Sequence, residues 1–140
     1  MQLKIKKLSP DAKLPKFAYN DDAGMDIFAL EDTLLIAGEK TIVKTGIAME
    51  IPQGYIGLVW DKGSLANKNI HTMAGVVDAG YRGEVLILVF NLGKENIEIK
   101  KGQKIAQILI QEFSHPEIIE AEELSETDRG LGRIGSSGMF

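Results

Sequence analysis

The sequence predicts an all-β protein, built as a sandwich or a closed barrel of short strands. Short apolar or alternating runs dominate the 140-residue chain, and turn residues such as Pro52-Gln53-Gly54 and Lys101-Gly102 separate several of them. Helix signals are scarce, and the only plausible helical turn, Ser64–Lys68, is too short to be stable alone. Many closely spaced short strands are typical of sandwiches and barrels rather than of βαβ units.

Eight strands are predicted in chain order from these apolar or alternating runs: Leu3–Ile5, Thr33–Ile36, Thr41–Val43, Ile47–Ile51, Ile56–Trp60, Val85–Asn91, Ile97–Ile99 and Lys104–Ile110. The stretch 114–129, SHPEIIEAEELSETDR, is acidic and only sparsely apolar. It is therefore predicted to be a connector that runs over the surface toward the glycine-rich C-terminus.

Composition and charge limit the class of protein. The length predicts a single domain. The net charge of -4 gives no support for binding to nucleic acid or to a membrane surface, so neither partner is expected. The absence of cysteine excludes disulfides, thiolate metal sites and cysteine nucleophiles, and suits a reducing cytosol. No apolar run approaches the roughly 20 residues of a membrane span, and the N-terminus lacks the apolar core of a secretory signal. We therefore expect a soluble cytoplasmic protein.

Two polar stretches each allow a structural and a functional interpretation. In DAGMDIFA, Asp26 alone is better explained as a strand-edge carboxylate that caps a turn. In WDKGSLANK, a strand ends at Trp60 and a Gly-Ser pair opens a helical turn. Consecutive N–H groups there can bind an anion, with Lys62 supplying charge. Ser64 can equally be an ordinary helix N-cap, and both interpretations stay open.

Two further stretches carry polar groups on predicted strands. HTMAGVVDAGYRGEVLILVFN predicts a hairpin in which Asp78 lies at the shoulder of a turn, Tyr81 begins the return and strand character resumes at Val85. An apolar pocket wall with exposed backbone groups there could pair with a flat heterocycle, but a plain hairpin whose Asp stabilises the turn explains the stretch better when it is taken alone. In KGQKIAQILI, Gln107 lies among apolar residues on a predicted interior strand and needs a polar partner.

Taken in order, five stretches resemble the five motifs of the trimeric deoxyuridine triphosphatase (dUTPase) family: AGMDIFA, DKGSLANK, AGVVDAGYRG, GQKIAQILI and RGLGRIGSSG. The resemblance extends from about Ala23 to Gly138 and is closest in the third and fourth motifs. It implies a distorted jelly-roll β-barrel, a homotrimer with three active sites at subunit interfaces, and Mg²⁺-dependent hydrolysis of dUTP to dUMP and pyrophosphate. It also implies a β-barrel core, 1–128, followed by a flexible glycine-rich flap, 129–140.

The third motif implies which residues recognise the base and the sugar and which residue activates the attacking water. By matching position, Asp78 orients and deprotonates the water that attacks the α-phosphorus, which is general-base work. Tyr81 packs under the deoxyribose and leaves no room for a 2′-hydroxyl. The backbone of Gly75, Val76, Val77 and Asp78 pairs with the uracil edge, in a pocket too tight for a 5-methyl group.

The first, second and fourth motifs imply the residues around the phosphates and the metal. Lys62, Gly63 and Ser64 match the positions that hold phosphate oxygens. Asp26 and Gln107 match positions that hold waters on a Mg²⁺ ion that the triphosphate itself chelates. A metal bound mainly by substrate oxygens and water needs no dedicated protein cage.

The fifth motif implies a flap that closes over bound nucleotide. Arg129 is expected to meet the terminal phosphates, Ile134 to cover the base, and Gly135, Ser136 and Ser137 to donate hydrogen bonds to phosphate. Glycine keeps such a segment mobile and lets its backbone approach the phosphates, and closure excludes water.

Departures from the family pattern in the second and fifth motifs lead us to expect reduced but present activity at the step that depends on the flap. The second motif has Lys62-Gly63-Ser64 where the family usually has arginine-serine-glycine, and lysine lacks the guanidinium fork. Ile134 replaces a phenylalanine, which removes a ring contact worth about 0.5–1.5 kcal/mol beyond area burial. Arg133 replaces a usual glycine and adds a compensating charge.

Two other functions remain as alternatives. A dCTP deaminase of the same fold needs a glutamate on the strand after the third motif, where this chain has Leu88 and no acid from Val85 to Asn91. A non-catalytic trimer that binds nucleotide and regulates a partner protein agrees with the departures in the second and fifth motifs. Asp78 argues against that function, because a protein that only binds nucleotide needs no general base.

Overall fold

The computed structural model describes residues 1–134 and 136–138, and these residues form eleven strands and one helical turn. In chain order they are β1 (Lys4–Lys7), β2 (Met25–Phe28), β3 (Thr33–Leu35), β4 (Lys40–Val43), β5 (Ile47–Glu50), β6 (Tyr55–Asp61), α1 (Gly63–Ala66), β7 (Ile70–Met73), β8 (Val76–Val77), β9 (Ile87–Asn91), β10 (Ile97–Ile99) and β11 (Lys104–Glu112). The predicted all-β class is confirmed, and all eight predicted strands are present with ends that differ by at most two residues.

The strands pair into four antiparallel sheets, in the orders β2-β11-β6-β8, β4-β9-β7, β1-β5 and β10-β3. Most neighbours are distant in sequence, so the chain crosses repeatedly from one sheet to another. This connectivity is consistent with the expected jelly roll. The long strand β11 lies inside its sheet and pairs with β2 on one side and with β6 on the other.

The core lies between the sheets and is built mainly from β-branched and other aliphatic side chains. Its largest fully buried members include Ile27, Leu35, Ile47, Ile87 and Ile108. These residues come from strands of different sheets, so their burial holds the sheets together. Fully burying one such side chain stabilises the fold by roughly 1.5–3 kcal/mol.

The predicted hairpin after Val77 is wrong. The turn itself forms, because the Tyr81 N–H donates to the Asp78 carbonyl at 3.0 Å. However, β8 pairs with β6, and β9 begins only at Ile87 and pairs with β4 and β7. The chain after Tyr81 therefore crosses to another sheet instead of returning beside β8.

Three strands were not predicted: β2, β7 and β8. All four residues of β2 are buried, including Asp26, so β2 lacks the alternation that marks a strand with one face in water. The interpretation of Ser64 as an N-cap is also wrong. Lys62 occupies that position without a side-chain cap, and Ser64 lies inside α1.

The C-terminal part of the chain carries no regular element in its described residues. From residue 113 to residue 127 there is no strand or helix, and all of these side chains are exposed, as predicted for the connector. The division into a core, 1–128, and a flap, 129–140, stays a prediction. Among the described residues, no helix combines the length and the apolar character that crossing a membrane requires.

Candidate active site

An apolar pocket lies where β7 passes into β8. It has a volume of about 230 Å³, and its lining includes every residue that the third motif singled out: Gly75, Val76, Val77, Asp78 and Tyr81. The predicted grouping of these five residues is therefore present in the structure. Leu88 also lines this pocket, at the position where a deaminase would need an acid.

The wall of the apolar pocket depends on a tight backbone turn at Ala74 and Gly75. Both residues have positive φ, 62° at Ala74 and 129° at Gly75. The Val59 N–H donates to the Gly75 carbonyl at 2.8 Å, and a side chain at Gly75 would place its Cβ 2.7 Å from the Val59 carbonyl oxygen. Because that neighbour is backbone, only glycine lets β8 approach β6 so closely.

Tyr81 is held by a short chain of hydrogen bonds. Its hydroxyl donates to the Glu84 carbonyl at 2.9 Å. The Glu84 carboxylate in turn accepts from the Gly46 N–H at 2.7 Å and from the Thr45 N–H at 3.2 Å. The ring therefore has a set orientation beside the pocket, although the residue remains 46% exposed.

Asp78 directly follows β8 at the rim of the apolar pocket. Its residue is exposed, and its backbone carbonyl closes the turn to Tyr81. The side chain is accessible to a water molecule and to a ligand that fills the pocket. The role of Asp78 as general base stays a prediction.

A second pocket, of about 550 Å³, lies beside the ends of β6 and β2 and is more polar. Its lining includes Tyr19, Gly24, Asp61, Lys62 and Gln107. The prediction that Gln107 lies on an interior strand and needs a partner is confirmed, because its Nε2 donates to the Asp61 carbonyl at 2.9 Å. The second and fourth motifs thus meet in this polar pocket.

Asp26 is only 2% exposed, and it contacts Lys62 of the polar pocket without lining that pocket itself. Lys62 Nζ lies 2.6 Å from its Oδ1, and Lys104 Nζ lies 2.5 Å from its Oδ2. Burial raises the pKa of Asp26, but the hydrogen bonds and charges of Lys104 and Lys62 outweigh burial and hold that pKa below its ordinary value. The interpretation of Asp26 as a turn cap is wrong, since its carboxylate anchors two lysines instead.

This ion-pair group predicts a loss of stability in acid. Since the folded pKa of Asp26 is lowered, the unfolded chain takes up the proton first as the pH falls. The contribution of Asp26 is therefore complete above its ordinary value of 3.8 and is lost as the pH falls from there through the lowered folded pKa. Urea unfolding from pH 7 to pH 3 should show a fall in stability in the acid range that is smaller in Asp26→Asn.

The matched control for that experiment is Asp21→Asn. Asp21 is an exposed residue of the loop that precedes β2 and forms no ion pair with the residues that the structure describes. It should keep the acid dependence of the unaltered protein. An acid dependence in Asp26→Asn that matches the unaltered protein would contradict the assignment.

Gly63 and Ser64 form the exposed start of α1, next to Lys62. The first N–H groups of a helix have no acceptor within the helix, so they can donate to an anion. Neither residue lines the polar pocket directly. Their expected phosphate contacts stay a prediction.

The residues expected in the flap lie apart from both pockets. Arg129, Ile134, Ser136 and Ser137 are exposed, and none of them lines either pocket. Arg129 Nε donates to the Gly132 carbonyl at 3.2 Å. Gly135 lies outside the described residues. The single chain therefore does not bring these groups to the other predicted site residues.

Sequence reasoning missed two charged residues of the polar pocket region. Lys104 contacts Asp26, and Asp61 links β6 to β7 and β11 through hydrogen bonds. Asp61 directly precedes Lys62, so a charged residue at the end of a strand beside the second motif was the available signal. The contact of Lys104 depends on the pairing of β11 with β2, which the sequence did not predict.

The residues present fit a metal bound through water. Among residues 1–134 and 136–138, no three His, Cys, Asp or Glu side chains lie close enough together to hold a metal ion directly. Lys62 contacts Oδ1 of Asp26 and Lys104 contacts Oδ2, and these two neighbours keep the carboxylate ionised. An ionised carboxylate accepts hydrogen bonds from metal-bound water, which suits Mg²⁺ with substrate oxygens as its other ligands.

Together, these features describe an all-β protein with an apolar pocket at β8 and a polar pocket at the end of β6. The model of the dUTPase family matches residues 10–138. The chain is 43% identical over 139 residues to the deoxyuridine 5'-triphosphate nucleotidohydrolase of Clostridium tetani, covering 97% of this chain and 96% of that protein. The chain therefore belongs to the dUTPase family.

Solved structures agree with this membership. A variant of Staphylococcus bacteriophage 80alpha dUTPase with dUpNHpp superimposes with a TM-score of 0.90 at 32% identity, covering 98% of both chains. A variant of the dUTPase from phage phi11 of S. aureus, which coordinates a structural Mg(II) ion, gives a TM-score of 0.82 at 29% identity. That match covers 88% of this chain and 98% of the phage chain. The expected jelly-roll fold is confirmed.

Proposed function

We propose that this chain hydrolyses dUTP to dUMP and pyrophosphate, by attack of water on the α-phosphorus with Asp78 as general base and with Mg²⁺ on the phosphates. The observation that carries the proposal is the apolar pocket, where Asp78 and Tyr81 stand at the end of β8. Family membership and relatives named as deoxyuridine 5'-triphosphate nucleotidohydrolases support the same reaction. The chain is then an enzyme of nucleotide metabolism that supplies dUMP.

The edge of β8 explains how uracil can be recognised. β8 is the last strand of its sheet and pairs on one side with β6. A strand at the edge of a sheet presents unpaired N–H and C=O groups on its other side. The donors and acceptors of a uracil ring can pair with that edge much as another strand would. The small pocket volume favours a pyrimidine without a 5-methyl group.

Tyr81 provides the selection against a ribose. Its ring is fixed beside the pocket by the bond to the Glu84 carbonyl, so it cannot easily move away from an added 2′-hydroxyl. A rigid ring that fills the space of a hydroxyl group rejects the ribonucleotide by steric overlap.

A change at Gly83 tests this selection without altering Tyr81 itself. A Cβ at Gly83 would overlap the Tyr81 hydroxyl. We expect Gly83→Ala to displace the ring and to lower the ratio of kcat/KM for dUTP over UTP by about tenfold, a change of about 1.4 kcal/mol. Gly80→Ala, where a Cβ would meet open space, is the control and should keep the ratio. An unchanged ratio in Gly83→Ala would contradict the role of the ring.

The polar pocket is proposed to hold the triphosphate and its metal. Lys62 supplies a positive charge, and Gly63 and Ser64 supply donors at the start of α1. Asp26 and Gln107 would accept hydrogen bonds from waters on Mg²⁺. The bound ion supplies charge neutralisation at the phosphates. Lys62 is paired with Asp26 in this structure, so Asp26 sets where the ammonium group of Lys62 lies.

We further propose that the active unit is a homotrimer with sites at the subunit interfaces. The apolar and polar pockets of one chain have no lining residue in common. The described flap residues, Arg129, Ile134, Ser136 and Ser137, line neither pocket. A complete site would therefore combine the pockets of neighbouring copies, with the flap, Gly135 included, closing over the nucleotide.

The experiment that tests the proposed function is a pyrophosphate-release assay with dUTP, UTP, dTTP and dCTP, each with and without Mg²⁺. We expect release from dUTP that depends on Mg²⁺, and little release from the other three nucleotides. Ammonia release from dCTP would instead support a deaminase, which the position of Leu88 in the pocket argues against. Binding of dUTP without release of pyrophosphate would support a regulatory trimer.

A cytoplasmic location is proposed because the chain has no cysteine, which suits a reducing compartment.

A further inference from the structure

Asp61, the last residue of β6, connects three strands through its side chain and its backbone. Its Oδ1 accepts from the Thr72 N–H and from the Thr72 hydroxyl, both at 2.6 Å. Its Oδ2 lies 2.8 Å from Nδ1 of His71. Its backbone carbonyl accepts from Gln107 Nε2 at 2.9 Å. One residue thus joins β6 to β7 and to β11.

The link from β6 to β7 joins two different sheets. β6 belongs to the sheet β2-β11-β6-β8, and β7 belongs to the sheet β4-β9-β7. Backbone pairing between the two strands is therefore replaced here by the carboxylate of Asp61, which accepts both donors of Thr72. Because Thr72 is buried, these bonds are shielded from water and restrict the movement of the β6 end.

The end of β6 is also where the polar pocket begins. Lys62 follows Asp61 directly, and Gln107 is bonded to the Asp61 carbonyl. Both residues line the polar pocket, and Lys62 also contacts the buried Asp26. A shift of Asp61 would therefore move the two side chains that are proposed to face the triphosphate and its metal.

The hydrogen-bond partners of Asp61 favour its ionised form. Burial raises the pKa of Asp61, but hydrogen bonds from Thr72 and His71 outweigh it and hold that pKa below its ordinary value. An ionised carboxylate with three donors has a narrow range of positions, because charge-assisted hydrogen bonds are shorter and stronger than neutral ones.

We propose that Asp61 is a positioning residue for the triphosphate part of the substrate. It acts through Lys62 and Gln107, whose positions it fixes because its own carboxylate is bonded to Thr72 and His71 of β7, and it is not itself required to touch the substrate. The inference rests on the proposed function, since it assigns Asp61 to the phosphate half of that site. It predicts that variants of Asp61 lose affinity mainly for ligands that carry the β- and γ-phosphates.

The test compares two ligands, the non-hydrolysable α,β-imido-dUTP with Mg²⁺ and dUMP, by calorimetry on the full chain. We expect Asp61→Ala to lower the affinity for the imido nucleotide about tenfold more than the affinity for dUMP. This is the loss expected for one hydrogen bond to a charged group. Asp61→Asn keeps an oxygen that can accept from Thr72, so it should recover most of that ratio. In steady state, KM for dUTP should rise more in Asp61→Ala than in Asp61→Asn.

The control is Asp32→Ala. Asp32 also has a carboxylate that accepts a backbone N–H, from Lys101 at 2.7 Å, but it lines neither pocket. It should leave the affinity ratio of the two ligands unchanged. If Asp61→Ala does not fold, Thr72→Val takes its place, since it removes one donor to the Asp61 carboxylate. It should lower the affinity for the imido nucleotide relative to dUMP in the same direction, by a smaller factor.

The outcomes separate this inference from the proposed function. If the unaltered chain binds neither nucleotide, the dUTP assignment fails and the role of Asp61 fails with it. If the unaltered chain binds both and the folded variants weaken both ligands equally, Asp61 is only structural and the inference is overturned. The inference is also overturned if the folded variants keep the unaltered chain's ratio of affinities for the imido nucleotide and dUMP.

Discussion

Asp78→Asn should lower kcat for dUTP hydrolysis by about 10²–10⁴-fold, the range that general-base catalysis contributes. The amide has nearly the same shape as the carboxylate but cannot accept the proton of the attacking water. Asp78 is exposed at the rim of the apolar pocket and its side chain forms no hydrogen bond to the described residues, so the fold should tolerate the change. The measurement is pyrophosphate release under saturating dUTP with Mg²⁺.

The affinity of Asp78→Asn for α,β-imido-dUTP should stay close to that of the unaltered chain, because only the chemical step is removed. Asp21→Asn, an exposed residue outside both pockets, is the control and should keep full kcat. Unchanged pyrophosphate release in Asp78→Asn would show that some other group activates the water.

Truncation after Asp128 should lower kcat/KM for dUTP by about 10–100-fold while leaving the fold intact. The removed segment includes Arg129, and hydrogen bonds to charged groups contribute about 1.5–3 kcal/mol each. The backbone and side-chain hydrogen bonds found within 127–138 are local to that segment, so little of the core depends on it. The measurement is steady-state pyrophosphate release, with circular dichroism to check the fold.

A chain that lacks only Met139 and Phe140 is the control for the truncation, since neither residue is among those expected to contact nucleotide. It should retain most of the activity. Full activity after removal of residues 129–140 would refute the assignment of this segment as a flap.

The strands were predictable because most of them carry the usual pattern of apolar runs between turn residues. Ile97–Ile99 was predicted with the correct ends, and the strand around Gln107 was predicted to be interior, which the pairing of β11 with β2 and β6 confirms. In these segments local propensity and burial favour the same structure. The sequence pattern therefore suffices there.

The hairpin after Val77 was not predictable by the same means. A turn followed by a strand favours a hairpin, yet β8 pairs with β6 and the next strand joins another sheet. The pairing of β8 with β6 depends on the close approach at Gly75 and Val59, which are far enough apart in sequence that no local pattern records it. Strand partners are a property of the whole fold.

The candidate site shows the same division. The third-motif residues from Gly75 to Asp78 are consecutive, so their grouping with Tyr81 in one pocket could be predicted. The contact of Lys104 with Asp26 and the bonds of Asp61 to Thr72 join distant segments and could not. Charged pairs across strands require the register, which the sequence alone did not supply.

Hydrolysis of dUTP in water enriched in oxygen-18 is the most direct test of the central claim, that water attacks the α-phosphorus beside Asp78. The account predicts one heavy oxygen in the phosphate of dUMP and none in the pyrophosphate, as measured by mass spectrometry of both products. Heavy oxygen in the pyrophosphate would place the attack on the β-phosphorus and contradict the account.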